Sequence, residues 1–233
     1  GAGADGTIDE IVVQLSEPIN IATVQASDFT LGSGTVSAFY RHSTGAANID
    51  NSLDANDTDA YYTLEVSTNT TAAVSVSYAQ SSVTDLADSE GNLIANTSIN
   101  TTDLAIPVFI NAHYFDTDDN GDIDEVVLEF SEEINESTVA FGDYTLSGGS
   151  VDASSTVAST NVDNSLDAND SDKYATLEVT LTGTATNTLG YTQGTTADMV
   201  GNLAATLASI DEVDEATPIF LNAYQYDLSA GAG

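Results

Sequence analysis

The chain has 233 residues, of which 37 are acidic and only two basic, Arg41 and Lys173, giving a formal charge of −35. That charge excludes nucleic acid and anionic membrane as electrostatic partners, because both would repel it. Cysteine is absent, which excludes a disulfide framework, a thiol nucleophile and a cysteine metal site.

In chain order, the first element is an alternating run in which Ile11, Val13 and Leu15 share one face. Short stretches after the Ser-Glu pairs, residues 20–26 and 135–140, are expected to make one helical turn at most. Tyr62, Leu64 and Val66 alternate next, followed in the second half by Val126, Leu128 and Phe130, then Ala175, Leu177 and Val179. Thr, Val, Ile and Tyr fill these runs, while Gly, Asn, Asp and Ser separate them, which is the pattern of strands and turns. With 41% hydrophobic residues in ordered runs, the chain is expected to fold despite its charge. No apolar run approaches the roughly 18 residues needed to cross a bilayer.

The chain repeats itself at about 115 residues. NIDNSLDANDTDAYYTLEV at 48–66 returns as NVDNSLDANDSDKYATLEV at 161–179, and GTIDEIVVQLSEPI at 6–19 returns as GDIDEVVLEFSEEI at 121–134. TVQASDFTL at 23–31 matches TVAFGDYTL at 138–146, and Gly91-Asn92-Leu93 matches Gly201-Asn202-Leu203. About seven short strands per repeat predict an all-β chain of two tandem immunoglobulin-like antiparallel β-sandwich modules. The first spans 1–104 and the second 105–216. IPVFINAHYFD at 106–116 recurs as TPIFLNAYQYD at 217–227. The first module therefore reads as lacking its opening strand, and residues 217–233 read as the opening strand of the next unit's first module.

Several segments carry a family resemblance: Pro107-Val108-Phe109 and Pro218-Ile219-Phe220, Leu15-Ser16-Glu17 and Phe130-Ser131-Glu132, and the stretches at 28–31 and 143–146. The closing motifs complete it: Thr84-Asp85-Leu86-Ala87 with Gly91-Asn92, and Asp198-Met199-Val200-Gly201-Asn202. In these residues each module resembles the bacterial and archaeal Ig-like repeats of S-layer proteins and large surface adhesins. The resemblance implies the sandwich fold and an extracellular or cell-surface setting, and no particular ligand. In that family Asp-Leu-Ala runs straight into Gly-Asn; here Asp88-Ser89-Glu90 intervenes.

The sharpest chemical motif is Asp116, Asp118, Asn120, Gly121, Asp122 and Asp124. Oxygen ligands at positions 1, 3, 5 and 9 of a loop, with glycine at 6 and a carbonyl at 7, follow an EF-hand-like calcium pattern. Position 12 is Val127 rather than a bidentate glutamate, so Glu132, Glu133 or Asp198 is expected to complete the shell. The first module keeps only Asp5, Asp9 and Glu10 of this loop. Weaker candidates are the repeated acidic loops, with Asp54, Asn56 and Asp59 in one and Asp167, Asn169 and Asp172 in the other; a solvated hairpin loop with Asx-type turns is the preferred reading of these.

No G-x-S-x-G, P-loop or H-E-x-x-H pattern occurs, and His42 and His113 lack counterparts in the other repeat, so no enzyme is expected. His113 is expected on a strand face or at the surface. The termini, DLSAGAG and GAGADGTIDE, overlap through GAG to resemble the middle junction DTDDNGDIDE. The expected partner is thus a copy of the chain itself, head to tail, as a covalent array or as a polymer. The inter-unit strand would be Pro218, Ile219, Phe220, Leu221, Asn222, Ala223, Tyr224, Gln225, Tyr226 and Asp227, with Ile219, Leu221 and Ala223 exposed until paired. The function expected is a stalk, filament or sheath with calcium-stiffened junctions. The alternative is an adhesin binding a glycan or protein through its loops, with Phe39, Tyr40, Tyr61 and Tyr191 as the available aromatics.

Overall fold

Wherever β-branched and aromatic residues alternate with polar ones, the chain extends and pairs, because one face of the strand is then apolar and must be covered. The computed structural model describes residues 7–19, 25–41, 60–68, 73–81, 85–88, 90–155, 173–183, 187–220 and 222–225, the side chains of Tyr40, Arg41 and Ser155 excepted. The chain divides into two compact units, Gly1–Ala105 and Ile106–Gly233.

In the first unit, β1 (Glu10–Gln14), β4 (Tyr61–Ser67) and β3 (Thr35–Arg41) form one sheet in that order. A second sheet runs β2 (Phe29–Leu31), β5 (Ser75–Tyr78), β6 (Thr97–Asn100). Every pairing in both is antiparallel. The alternating residues of β1 and β4, Ile11, Val13, Tyr62, Leu64 and Val66, are buried with Phe29, Val76 and Tyr78 of the other sheet. Fully burying a side chain of this size stabilises by about 1.5–3 kcal/mol, so this shared apolar face is what holds the two sheets together.

In the second unit, the larger sheet runs β10 (Ser150–Ser155), β11 (Tyr174–Leu181), β8 (Ile123–Phe130), β7 (Phe109–Phe115), β13 (Glu212–Asp214). β9 (Tyr144–Leu146) pairs with β12 (Leu189–Tyr191) in the other. Val126, Leu128, Phe130, Ala175, Leu177 and Val179 face the core, as their alternation predicts. One pairing departs from the all-antiparallel expectation: β13 lies parallel to β7. The helical segment after Ser131-Glu132 is a single 3-10 turn, Glu136–Thr138.

The two units share local devices as well as sequence. β3 and β10 each carry a register shift at the same repeat position, Val36/Ala38 and Val151/Ala153. Each unit also closes on one aspartate. Asp198 Oδ1 accepts the backbone N–H groups of Val200, Gly201 and Asn202 at 2.9, 2.6 and 2.8 Å, while Oδ2 accepts the Asn202 side-chain amide at 2.7 Å. Asp88 does the same for Glu90 N–H, Asn92 N–H and the Asn92 amide at 2.9, 2.7 and 2.6 Å. The turn needs glycine at its fourth position, where φ is +89° at Gly91 and +99° at Gly201, a region L side chains avoid. Asp88 is thus the counterpart of Asp198, and the Asp88 that seemed to intervene in the first closing motif is the aspartate on which it closes.

Candidate functional site

Two places stand out, one polar and one apolar. The polar one is the loop joining β7 to β8. Its chain reversal is made by Asp119 at φ 57° and Gly121 at φ 95°, both left-handed, a conformation that Asp tolerates and glycine adopts freely. The reversal brings carboxylate oxygens of Asp116, Asp118 and Asp124 within 4.8 Å of one another, which are positions 1, 3 and 9 of the expected pattern. Asn120, at position 5, lies between them: its side-chain amide donates to Asp118 Oδ2 at 3.0 Å, and its oxygen accepts Asp122 N–H at 2.8 Å. Asp116 accepts the N–H groups of Asn120 and Gly121 at 3.1 and 2.8 Å. Asp124 accepts Thr117 N–H at 2.9 Å.

The Asp122 side chain turns away and accepts Gly183 N–H at 2.7 Å; the pattern asks only for its carbonyl. The residues expected to complete the shell do not join this cluster. Val127 is buried in β8. Glu132 and Asp198 come within 4.8 Å of each other in a separate grouping, and the Asp198 carboxylate is already occupied by its turn. In the first unit Asp9 accepts Val66 N–H through its carbonyl and belongs to no acidic cluster among the described residues. Asp5, Asp54, Asn56, Asp59, Asp167, Asn169 and Asp172 lie outside the described residues.

β13 changes the expectation for His113. It covers the outer edge of β7, on which His113 lies, and the histidine is buried, its side chain 9% exposed. Nδ1 sits 3.3 Å from Glu215 Oε1, and Nε2 sits 3.6 Å from Glu129 Oε2. Glu129 also accepts the Asn111 amide at 2.9 Å and pairs with the ammonium of Lys173, the chain's single lysine. Burial opposes ionisation of Glu129, but Lys173, Asn111 and His113 outweigh it and hold the carboxyl below its ordinary range. The bond to Glu129 raises the Lys173 pKa in turn.

The apolar place is in the first unit. Val13, Leu15, Phe29, Phe39, Tyr78 and Ile99 are among the residues that line an apolar pocket, partly open to solvent. Phe39 stacks on Phe29 at 5.1 Å and on Tyr62 at 5.4 Å, and Tyr191 is buried at 1% exposure. Neither therefore offers the exposed ring that a glycan site would use. The sequence marked no pocket here.

The segment 218–227 forms no strand among its described residues, and Phe220 and Tyr224 are 102% and 75% exposed. Ala223 is exposed as expected, whereas Ile219 is half-buried. Leu221, Tyr226 and Asp227 lie outside the described residues. No helix among the described residues is long and apolar enough to cross a membrane. Comparison with protein-family models, curated proteins and solved structures found no match to this chain.

Proposed function

We propose that this chain is a structural unit of an extracellular repeat array, built from immunoglobulin-like sandwich modules in series as a stalk, filament or sheath. The observation that carries the proposal is the repetition of one module by the same devices: the Asp88 and Asp198 closures, the shifts at Val36/Ala38 and Val151/Ala153, and the shared sheet order around β1 and β8. Copying a module extends a chain by a fixed length and sets up nearest-neighbour contacts.

Calcium is the proposed stiffener. Asp116, Asp118 and Asp124 would supply carboxylates, Asn120 an amide oxygen and Asp122 its carbonyl, a hard-oxygen set of the kind calcium prefers. Unit charges 4 Å apart repel by about 1 kcal/mol even in water, so the three carboxylates would be drawn together by a cation and pushed apart without one. Because the loop joins β7 to β8, binding would fix the angle at which the opening strand enters its sandwich. Affinity should fall near that of extracellular modules, about 10⁻⁴–10⁻³ M.

The test is calcium titration by calorimetry beside negative-stain imaging, with calcium and with chelator. Saturable binding that Asp116→Asn with Asp118→Asn removes, together with particles that straighten in calcium, is the expected result. Heat that the double substitution leaves unchanged would remove this loop from the proposal. Particles of the same spread of shapes in calcium and in chelator would remove the stiffening.

A further inference from the structure

In the second unit the ring of Phe109 closes the core. Its centroid lies 4.7 Å from Phe130, 6.2 Å from Tyr144 and 5.0 Å from Tyr191. The repeat register places Leu15, Phe29 and Tyr78 at those three positions of the first unit, and all three line its apolar pocket. The edge strands agree. β8 is paired on both sides, by β11 and β7. β1 pairs with β4, and among the described residues no strand occupies its other side. Where β8 has β7, β1 therefore has a gap among the described residues.

We propose that this gap is the receptor for residues 218–227 of a second copy of the chain, with the Phe220 ring seated in the pocket bounded by Leu15, Phe29 and Tyr78. The proposal rests on the array reading above and adds the register and the selectivity of its joint. β7 pairs with β8 as Phe109 with Phe130, Asn111 with Glu129, Ala112 with Leu128 and His113 with Val127. Transferred along the repeat, Phe220 faces Leu15, Asn222 faces Gln14, Ala223 faces Val13 and Tyr224 faces Val12. The register shift between Phe109 and Asn111 sets which side chains turn inward. Phe109, Ala112 and Tyr114 enter the core of the second unit, so by the same register Phe220, Ala223 and Gln225 enter that of the first.

The lining also distinguishes the two slots. β7 carries His113 between Glu129 and Glu215. The first unit has Gln14 and Leu104 at those two acidic positions, and the free segment has Tyr224 at the histidine position. Asn222 meets the amide of Gln14 where Asn111 donates to Glu129. The segment thus matches the neutral slot, and β7 the charged one. Chain order favours a second copy: β7 leads the unit it completes, whereas residues 218–227 come after both units of their own chain.

The chain has no cysteine, so disulfide trapping reads the joint directly. Gln14→Cys with Asn222→Cys alters two exposed residues and should give a ladder of covalent oligomers under mild oxidation. Thr30→Cys with Asn222→Cys, using an exposed position on β2, should not. Adding Phe220→Ser to the first pair should abolish the ladder and weaken association about a hundredfold or more. Because Phe220 is fully exposed within its own chain, the melting of the monomer should not move. A folded chain that gives no ladder, gives equal ladders from both pairs, or closes only on itself would overturn the docking. A missing ladder beside a calcium-dependent change of particle shape would overturn the docking and leave the array standing. A ladder without a calcium response would establish the joint and remove calcium as its stiffener.

Discussion

At the scale of single residues, acidic side chains in this chain do two different things. Asp198 is nearly buried, and its oxygens accept three backbone N–H groups and one side-chain amide. A carboxylate so used belongs to the turn, since N–H groups fill the directions a metal would need. Removing it strands partly buried donors, and a buried unsatisfied donor costs about 1–3 kcal/mol. Asp198→Ala is therefore expected to destabilise the second unit by about that amount, with the first unit unmoved, as two resolved transitions in a calorimetric melt. Equal shifts in both transitions would show that the closure is not a local staple. In the first unit, Asp88 sits below the ordinary carboxyl range, held there first by the Asn92 side chain and then by backbone N–H groups. Its contribution is thus present above the unfolded pKa and is lost as pH falls through the folded value.

At the scale of strands, the alternating runs were legible because each has one apolar face: Tyr62, Leu64 and Val66, or Ala175, Leu177 and Val179, could sit only one way. The parallel seat of β13 was not legible. Its sequence, Glu212-Val213-Asp214, is acidic, exposed at both ends and lacks strand patterning, so the pairing depends on the edge that β7 presents. For the same reason His113 read as a strand-face or surface residue and proved buried. Asp116, Asp118 and Asp124 were legible as a cluster because glycine at a fixed offset dictates the turn. The missing twelfth ligand could not be placed, because it depends on tertiary neighbours. A pH test follows from the β7–β8–β13 edge. Glu129 titrates below its unfolded value, so its stabilisation is complete above about pH 4.3, the unfolded glutamate value, and disappears as pH falls through the folded value. Urea melts at pH 7 and pH 3 should show the second unit of Glu129→Gln losing less stability on acidification than the parent. An equal loss would mean that the Lys173, Asn111 and His113 contacts do not favour the ionised carboxyl.

At the scale of the whole molecule, 37 acids face two bases, so pairing between opposite charges cannot offset the repulsion. What remains is screening by mobile ions and capture of divalent ones, and these leave different signatures. Screening acts everywhere at once: the Debye length falls from about 10 Å at 0.1 M salt to about 3 Å at 1 M, so like charges on either unit cease to feel distant neighbours. Both calorimetric transitions should therefore rise with NaCl from about 0.1 to 1 M, and equally with KCl, because only ionic strength matters. Capture is local and saturable. Millimolar calcium should raise the transition of the second unit beyond what its ionic strength explains, by an amount that grows with the logarithm of free calcium above its Kd. Asp116→Asn should remove that extra rise and leave the NaCl response intact. Asp198→Ala identifies which transition belongs to the second unit. Transitions that ignore NaCl would mean that repulsion does not limit the stability of these sandwiches. A calcium rise shared by both units and untouched at Asp116 would mean that divalent ions act here as diffuse counterions, with no seat in the loop between β7 and β8.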